Sequence, residues 1–172
     1  MSDSIINNNA LAFMALCNEY CHEVESARET ERDAFVAAML RLLPRIYISA
    51  TDVKTDFTPV EEPYIAGVLE EDYYEAVRRS IENLLGPDDT YLEVFEEDMK
   101  YSDTPIAASI SEGLADIFQV LYNFLEAVKD VPEEFVAMGL VAIKEDFGAY
   151  WSRILCNVLR ALNHVRYNSV AD

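Results

Sequence analysis

The sequence predicts an all-α protein: a single-domain bundle of five to six helices with a long C-terminal helix. Three observations lead there. Apolar residues recur at i, i+3, i+4 spacing along most of the chain, and no run alternates with period two strongly enough to claim a strand. Five glycines and six prolines are too few for a turn-rich β protein. Half of the 172 residues are apolar, and a chain of about this length buries roughly 70% of its unfolded surface, enough for one core without staples. Residues 1–172 are therefore read as one helical domain, frayed over 1–8 and with its longest loop at 49–63.

The first helix is expected to start after Asn7 to Asn9, which suit an N-cap, and to run to about Arg28. Ala10, Phe13, Met14, Cys17, Tyr20, Cys21 and Val24 form its buried stripe. Thr30, three residues before Asp33, resembles a capping arrangement opening a second helix on Phe35, Ala38, Met39, Leu42, Leu43 and Ile46. Pro44 should kink or end that helix, because it removes an amide donor. The short loop between the two implies an antiparallel pair. A third helix, roughly Glu70 to Leu85, turns Tyr74, Val77, Ile81, Leu84 and Leu85 inward and stops at Gly86-Pro87. DDTYLEVFEED then predicts a short helix from Asp88 or Asp89, with Tyr91, Leu92 and Phe95 folding back. The fourth helix should begin near Thr104-Pro105. It runs to about Lys129 on Ile106, Ile110, Leu114, Ile117, Leu121 and Val128. After Pro132 the chain is helical throughout, as one helix of over thirty residues or two with a bend near Gly148.

Charge narrows the function classes. Asp and Glu outnumber Lys and Arg by 32 to 13, a net of −19. Residues 61–103 alone hold fourteen acids against three bases. Such a field repels phosphate backbones and anionic membranes, so neither direct nucleic-acid binding nor a membrane partner is expected. MSDSIINNN lacks a basic n-region and an apolar h-region, and no uninterrupted apolar run approaches the roughly 20 residues of a membrane span. Three cysteines without a paired framework suit a reducing compartment. The expected location is cytoplasmic.

Several constellations have residue types suited to chemistry. NEYCHEVE (18–25) crowds Glu19, Cys21, His22, Glu23 and Glu25 into two turns, and Glu19 and His22 have the Glu-x-x-His spacing of di-iron bundles. At 100° per residue, with Cys17 at 0°, the apolar stripe lies within about 60° of it, while Glu19 falls near 200° and His22 near 140°. The pair thus faces away from the core, and His164, preceded by Ala161, supplies no second pair. Cys17, Cys21, Cys156 and His164 could ligate zinc by type, but no Cys-x-x-Cys or His-x-x-x-His spacing joins them. Neither nucleotide-binding glycine motif occurs, nor a G-x-S-x-G elbow, nor a complete EF-hand loop. No cofactor or metal is expected.

One pattern remains. Asp146, Arg153, Asn157, Arg160 and His164 share a face of the last helix, with Tyr150 and Tyr167 at its margins. Glu112, Asp116, Gln119, Asn123 and Glu126 stripe the fourth. Two solvent faces would explain both. If instead the stripes meet across a groove, Arg153 and Arg160 would pair with Glu112 and Asp116, leaving a polar pocket with a titratable histidine.

The segments GLADIFQVLYNFL (113–125) and YWSRILCNVLRALNH (150–164) are similar to motifs of a bacterial family, domain of unknown function 5063. Asp116 sits at the acid of its Leu-Ala-Asp-Ile-aromatic motif, and His164 lies near the end of the second. Ser152 stands where the family pattern has glycine, and Asn163 precedes the histidine as an insertion. The resemblance is strongest over residues 105–167; it implies a single helical domain and no activity. The sequence thus supports a noncatalytic domain that binds an unknown protein partner or self-associates, with acidic residues 61–103 and aromatics such as Tyr73 as contact features. A ligand or enzymatic pocket at Glu112, Asp116, Arg153, Asn157, Arg160 and His164 is the alternative, and an acidic nucleic-acid mimic a second one.

Overall fold

The computed structural model describes residues 6–55, 62–93 and 106–168. Within them lie α1 (Asn8–Glu25), α2 (Arg32–Asp52), α3 (Glu71–Leu85), α4 (Ile110–Val128), α5 (Glu133–Asp146) and α6 (Ser152–Asn168). Between α3 and α4 sits a small antiparallel ribbon of β1 (Thr90–Leu92) and β2 (Ala107–Ser109). The all-α bundle is the fold observed, with that ribbon as an addition.

Local chemistry accounts for most boundaries. The Asn7 side chain accepts the Ala10 amide at 3.0 Å and caps α1. Ala10, Phe13, Cys17, Tyr20, Cys21 and Val24 are buried along one stripe, and Glu19 and His22 are exposed. The capping pair expected at Thr30 and Asp33 does not form. Thr30 donates its hydroxyl back to the Ser26 carbonyl at 3.0 Å, and Glu31 takes the N-cap position of α2. Pro44 does not end α2, which continues to Asp52. Proline withdraws one backbone donor, but Ile46, Ser49 and Ala50 beyond it are buried, and that packing holds the last two turns. The loop expected at 49–63 therefore begins only at Val53, and residues 56–61 lie outside the described part. α3 stops at Gly86, whose φ of +57° suits glycine.

Two expectations fail around the ribbon. After a 3-10 turn at Gly86–Asp89 the chain extends into β1 instead of forming a short helix, and Leu92 points to solvent. The fourth helix begins at Ile110 rather than near Thr104-Pro105, because Ala107–Ser109 pair with β1. Phe95, Thr104 and Pro105 lie outside the described residues. Ser109 caps α4 by accepting the Glu112 amide at 3.1 Å. The buried Asp89 carboxylate accepts the Ser111 amide and hydroxyl, both at 2.7 Å, supplying a second anionic cap across the chain.

α4 is the central helix, packed by α1, α3, α5 and α6, while α2 closes the bundle over α1 and α6. Phe13 of α1 meets Phe124 of α4 (centroids 5.6 Å) and Trp151 (6.5 Å), and Phe147 meets Trp151 edge-on at 4.6 Å. α2 is long and apolar enough to cross a membrane by length and composition, but its apolar residues Phe35, Met39, Leu43 and Ile46 sit fully inside this core. α5 and α6 join through a π-helical turn at Phe147–Trp151, where the sequence allowed a bend near Gly148. The Trp151 indole there donates to the Ile143 carbonyl at 3.2 Å.

Glycine decides one crossing. A Cβ on Gly113 would lie 2.4 Å from Cγ1 of the fully buried Val158, so α4 and α6 approach there with no room for a methyl group. Gly113→Ala is expected to cost about 1–3 kcal/mol by overpacking, read as a lower urea midpoint at unchanged slope. Gly148→Ala, where a Cβ meets nothing within 4 Å, serves as the neutral or stabilising control. Asp89→Ala strips the Ser111 amide and hydroxyl of their acceptor, for a loss of about 1–3 kcal/mol in the same measurement.

Candidate functional site

The close α4–α6 crossing leaves an open groove of about 320 Å³ beside it. α4 brings Glu112 and Asp116 to its rim, one residue before and three after Gly113. α6 brings Arg153, Ile154 and Asn157 from the other side. The ribbon forms the third wall with Tyr91, Glu93 just beyond β1, Ile106 just before β2, and Ala107 through Ser109 of β2.

Asp116 is tied to α3. Its Oδ1 accepts the Tyr74 hydroxyl at 2.6 Å. Partial burial raises its carboxyl above the ordinary range, the Tyr74 bond offsets part of that, and the charge of Glu112 adds to the rise. Burial and the same bond push the Tyr74 phenol upward. Tyr150, in the π turn, is also raised by burial and by the Asp116 charge, while Arg153 pulls it back. Two phenols, two carboxyls and one guanidinium thus share one electrostatic neighbourhood. On the ribbon side the buried Glu93 accepts the Asn157 amide at 2.8 Å.

The six residues expected from sequence divide. Glu112, Asp116, Arg153 and Asn157 line the groove together. Arg160 and His164 instead line a second depression of about 380 Å³ with Pro87, Asp88 and Leu92. The expected ion pairs are corrected: neither Arg153 nor Arg160 lies within 4 Å of the Glu112 or Asp116 carboxylates. Arg160 sits about two helical turns beyond Arg153, where it donates to the Leu92 carbonyl at 2.8 Å and lies over the Tyr91 ring. Asp146 is absent from the groove as well, since the π turn between it and Arg153 breaks the 100° phasing that put them on one face. Asn123, lower on the α4 stripe, is tied to the Val68 and Leu69 amides, and Gln119 and Glu126 are exposed.

Sequence reasoning missed Tyr74, Tyr91, Glu93 and the β2 residues as parts of this site. Tyr74 was legible as an inward residue of the third helix but not as a partner of Asp116. Strands of three residues carry no usable period-two signal. Elsewhere, Cys17 and Cys21 are buried on α1 and Cys156 is exposed on α6. Burial raises both α1 thiols, Cys21 to about 12, which makes them inert packing groups at neutral pH. Among the described residues no three His, Cys, Asp or Glu side chains converge to hold a metal ion.

The chain belongs to the family described as a domain of unknown function, DUF5063, whose match spans residues 4–168. It is similar in structure to a Bacteroides fragilis protein solved by a structural genomics consortium, with a TM-score of 0.84 and 28% sequence identity. That likeness covers 98% of this chain and 99% of the other. No curated protein matches the chain.

The raised carboxyl gives a signed prediction. A carboxyl that holds its proton more tightly folded than unfolded loses stability as pH rises from the ordinary aspartate range through its folded value. Asp116→Asn keeps an oxygen for the Tyr74 hydroxyl and removes the ionisation. It is expected to raise the melting temperature at pH 7, with the gain shrinking as pH falls through the raised folded value and gone by about pH 4, the ordinary aspartate range. A gain that does not shrink in acid would mean that ionisation is not the cause.

Proposed function

We propose that this DUF5063 domain is a noncatalytic binding module whose recognition surface is the groove between α4, α6 and the ribbon. One observation carries the reading: Asp116 and Arg153, expected to share a concavity if the polar stripes meet, both line it without pairing to each other. An unneutralised, half-buried carboxyl is a standing cost to stability, and such groups concentrate where a ligand supplies the missing partner. The groove is open and mixes carboxylates, a guanidinium, an amide and apolar ribbon side chains, as a recognition surface for a polar partner requires.

Asp116 and its two phenols also favour a second reading, an acid–base site, since a raised carboxyl beside Tyr74 and Tyr150 can hold or release a proton. The acidic mimic draws less support. Glu75 and Glu82 on α3 are bound to Arg78, and Arg79 reaches Glu75, which interrupts the row of like charges.

The test is a fragment titration of the isotopically labelled intact protein followed by NMR. Binding is expected to move the amides of Gly113, Asp116, Ile154 and Asn157 together, and Asp116→Asn is expected to weaken amine-bearing fragments about tenfold. Shifts confined to other faces would sink the groove as the recognition surface.

A further inference from the structure

The ribbon has two outer edges, and its hydrogen-bond phase tells them apart. Glu93 donates its amide to the Ile106 carbonyl at 2.8 Å. In an antiparallel pair, facing residues alternate between exchanging both bonds and exchanging neither. With Tyr91 opposite Ala108 and Leu92 opposite Ala107, the bonded pairs are 93/106 and 91/108. Leu92 and Ala107 must therefore turn their N–H and C=O groups outward. The Leu92 side agrees independently, since its carbonyl accepts Arg160. The β1 edge is thus covered by α6. Among the described residues nothing covers the β2 edge at Ala107, which is exposed.

That exposed edge borders the groove. Tyr91 of β1 and Glu93 just after it, which line the groove, share one ribbon face with Ala108 and Ile106. The Ala107 side chain points to the opposite face, yet Ala107 also lines the groove, as a residue does when its backbone edge forms the rim. Across the groove stand Glu112 and Asp116, with Arg153 as the one basic side chain among the described lining residues.

We infer that the groove takes an extended segment of a partner protein, which adds as a third strand on the Ala107 edge and places a lysine or arginine side chain against Asp116 and Glu112. This rests on the groove reading above and assigns its occupant. Strand addition supplies sequence-independent affinity through backbone hydrogen bonds, and pockets for alternate side chains supply the choice of sequence. Here the pocket is acidic, on a protein of net charge −19 that steers basic partners toward it.

Panning a phage-displayed library of linear heptapeptides on the intact protein, with affinities then read by fluorescence polarisation, tests the assignment. Selected peptides are expected to share a lysine or arginine at one position. Ala107→Pro should weaken them about tenfold or more, because the proline removes an outward amide while sparing the ladder to β1. N-methylation of alternate peptide amides should do the same with the protein unaltered, which covers any folding defect of the proline variant. Asp116→Asn should weaken the basic peptide and leave its norleucine analogue unchanged. Binding lost in Asp116→Asn but indifferent to Ala107→Pro and to N-methylation overturns strand addition and leaves the groove standing. Binding indifferent to all three overturns both readings. A library that enriches nothing, or enriches acidic peptides, overturns the assigned occupant. So does a concentration-dependent dimer broken by Ala107→Pro, which would put a second copy of the chain on the edge.

Discussion

The first two turns of α4 carry the constraint on which the rest depends. Within residues 109–116, Ser109 caps the helix and Ser111 is held by Asp89. Gly113 lets α6 approach, and the Leu114 carbonyl accepts the Tyr20 hydroxyl of α1 at 2.7 Å. Asp116 receives Tyr74 from α3. Three other helices, the 3-10 turn and the ribbon are all located from these eight residues. The groove is what remains where those elements converge without closing. Its acids therefore sit on a backbone anchored from several sides, as a binding site requires.

The π turn at Phe147–Trp151 sets the other wall. A regular helix through this point would carry the polar face of residue 146 onto that of 153. Widening one turn changes the phase, so Phe147 and Trp151 stay in the core while Tyr150 and Arg153 come toward Asp116. The indole of Trp151, fully buried, spends its only donor on the Ile143 carbonyl one element back. Packing and hydrogen bonding thus hold a local irregularity whose outward consequence is the placement of Arg153 on the groove and of Tyr150 near Asp116.

Burial explains which polar groups became partners. NEYCHEVE splits along the α1 axis into core cysteines and a wet face, because both halves obey the same period. The stripes on α4 and α6 look alike in sequence, but only their ends nearest Gly113 converge. Further along, Asn123 secures the chain entering α3, and Arg160 is drawn to the exposed strand edge at Leu92. A polar stripe is one object in sequence and several in space.

By itself the sequence determined the helical class, the order of the helices and the identity of their buried stripes. A 3.6-residue period is written locally, and Phe13, Val77, Leu114 and Leu155 obey it without reference to anything distant. It also marked Glu112, Asp116, Arg153 and Asn157 as residues that would share a site if two faces met. Whether they met was decided by the tertiary structure, through the missing methyl group at Gly113 and the phase change at the π turn. The ribbon was decided there too. Three-residue strands gain their stability from pairing and from α4 and α6 beside them, not from propensity, so Tyr91, Glu93 and Ala107 could not be placed until the partners of their backbone were known.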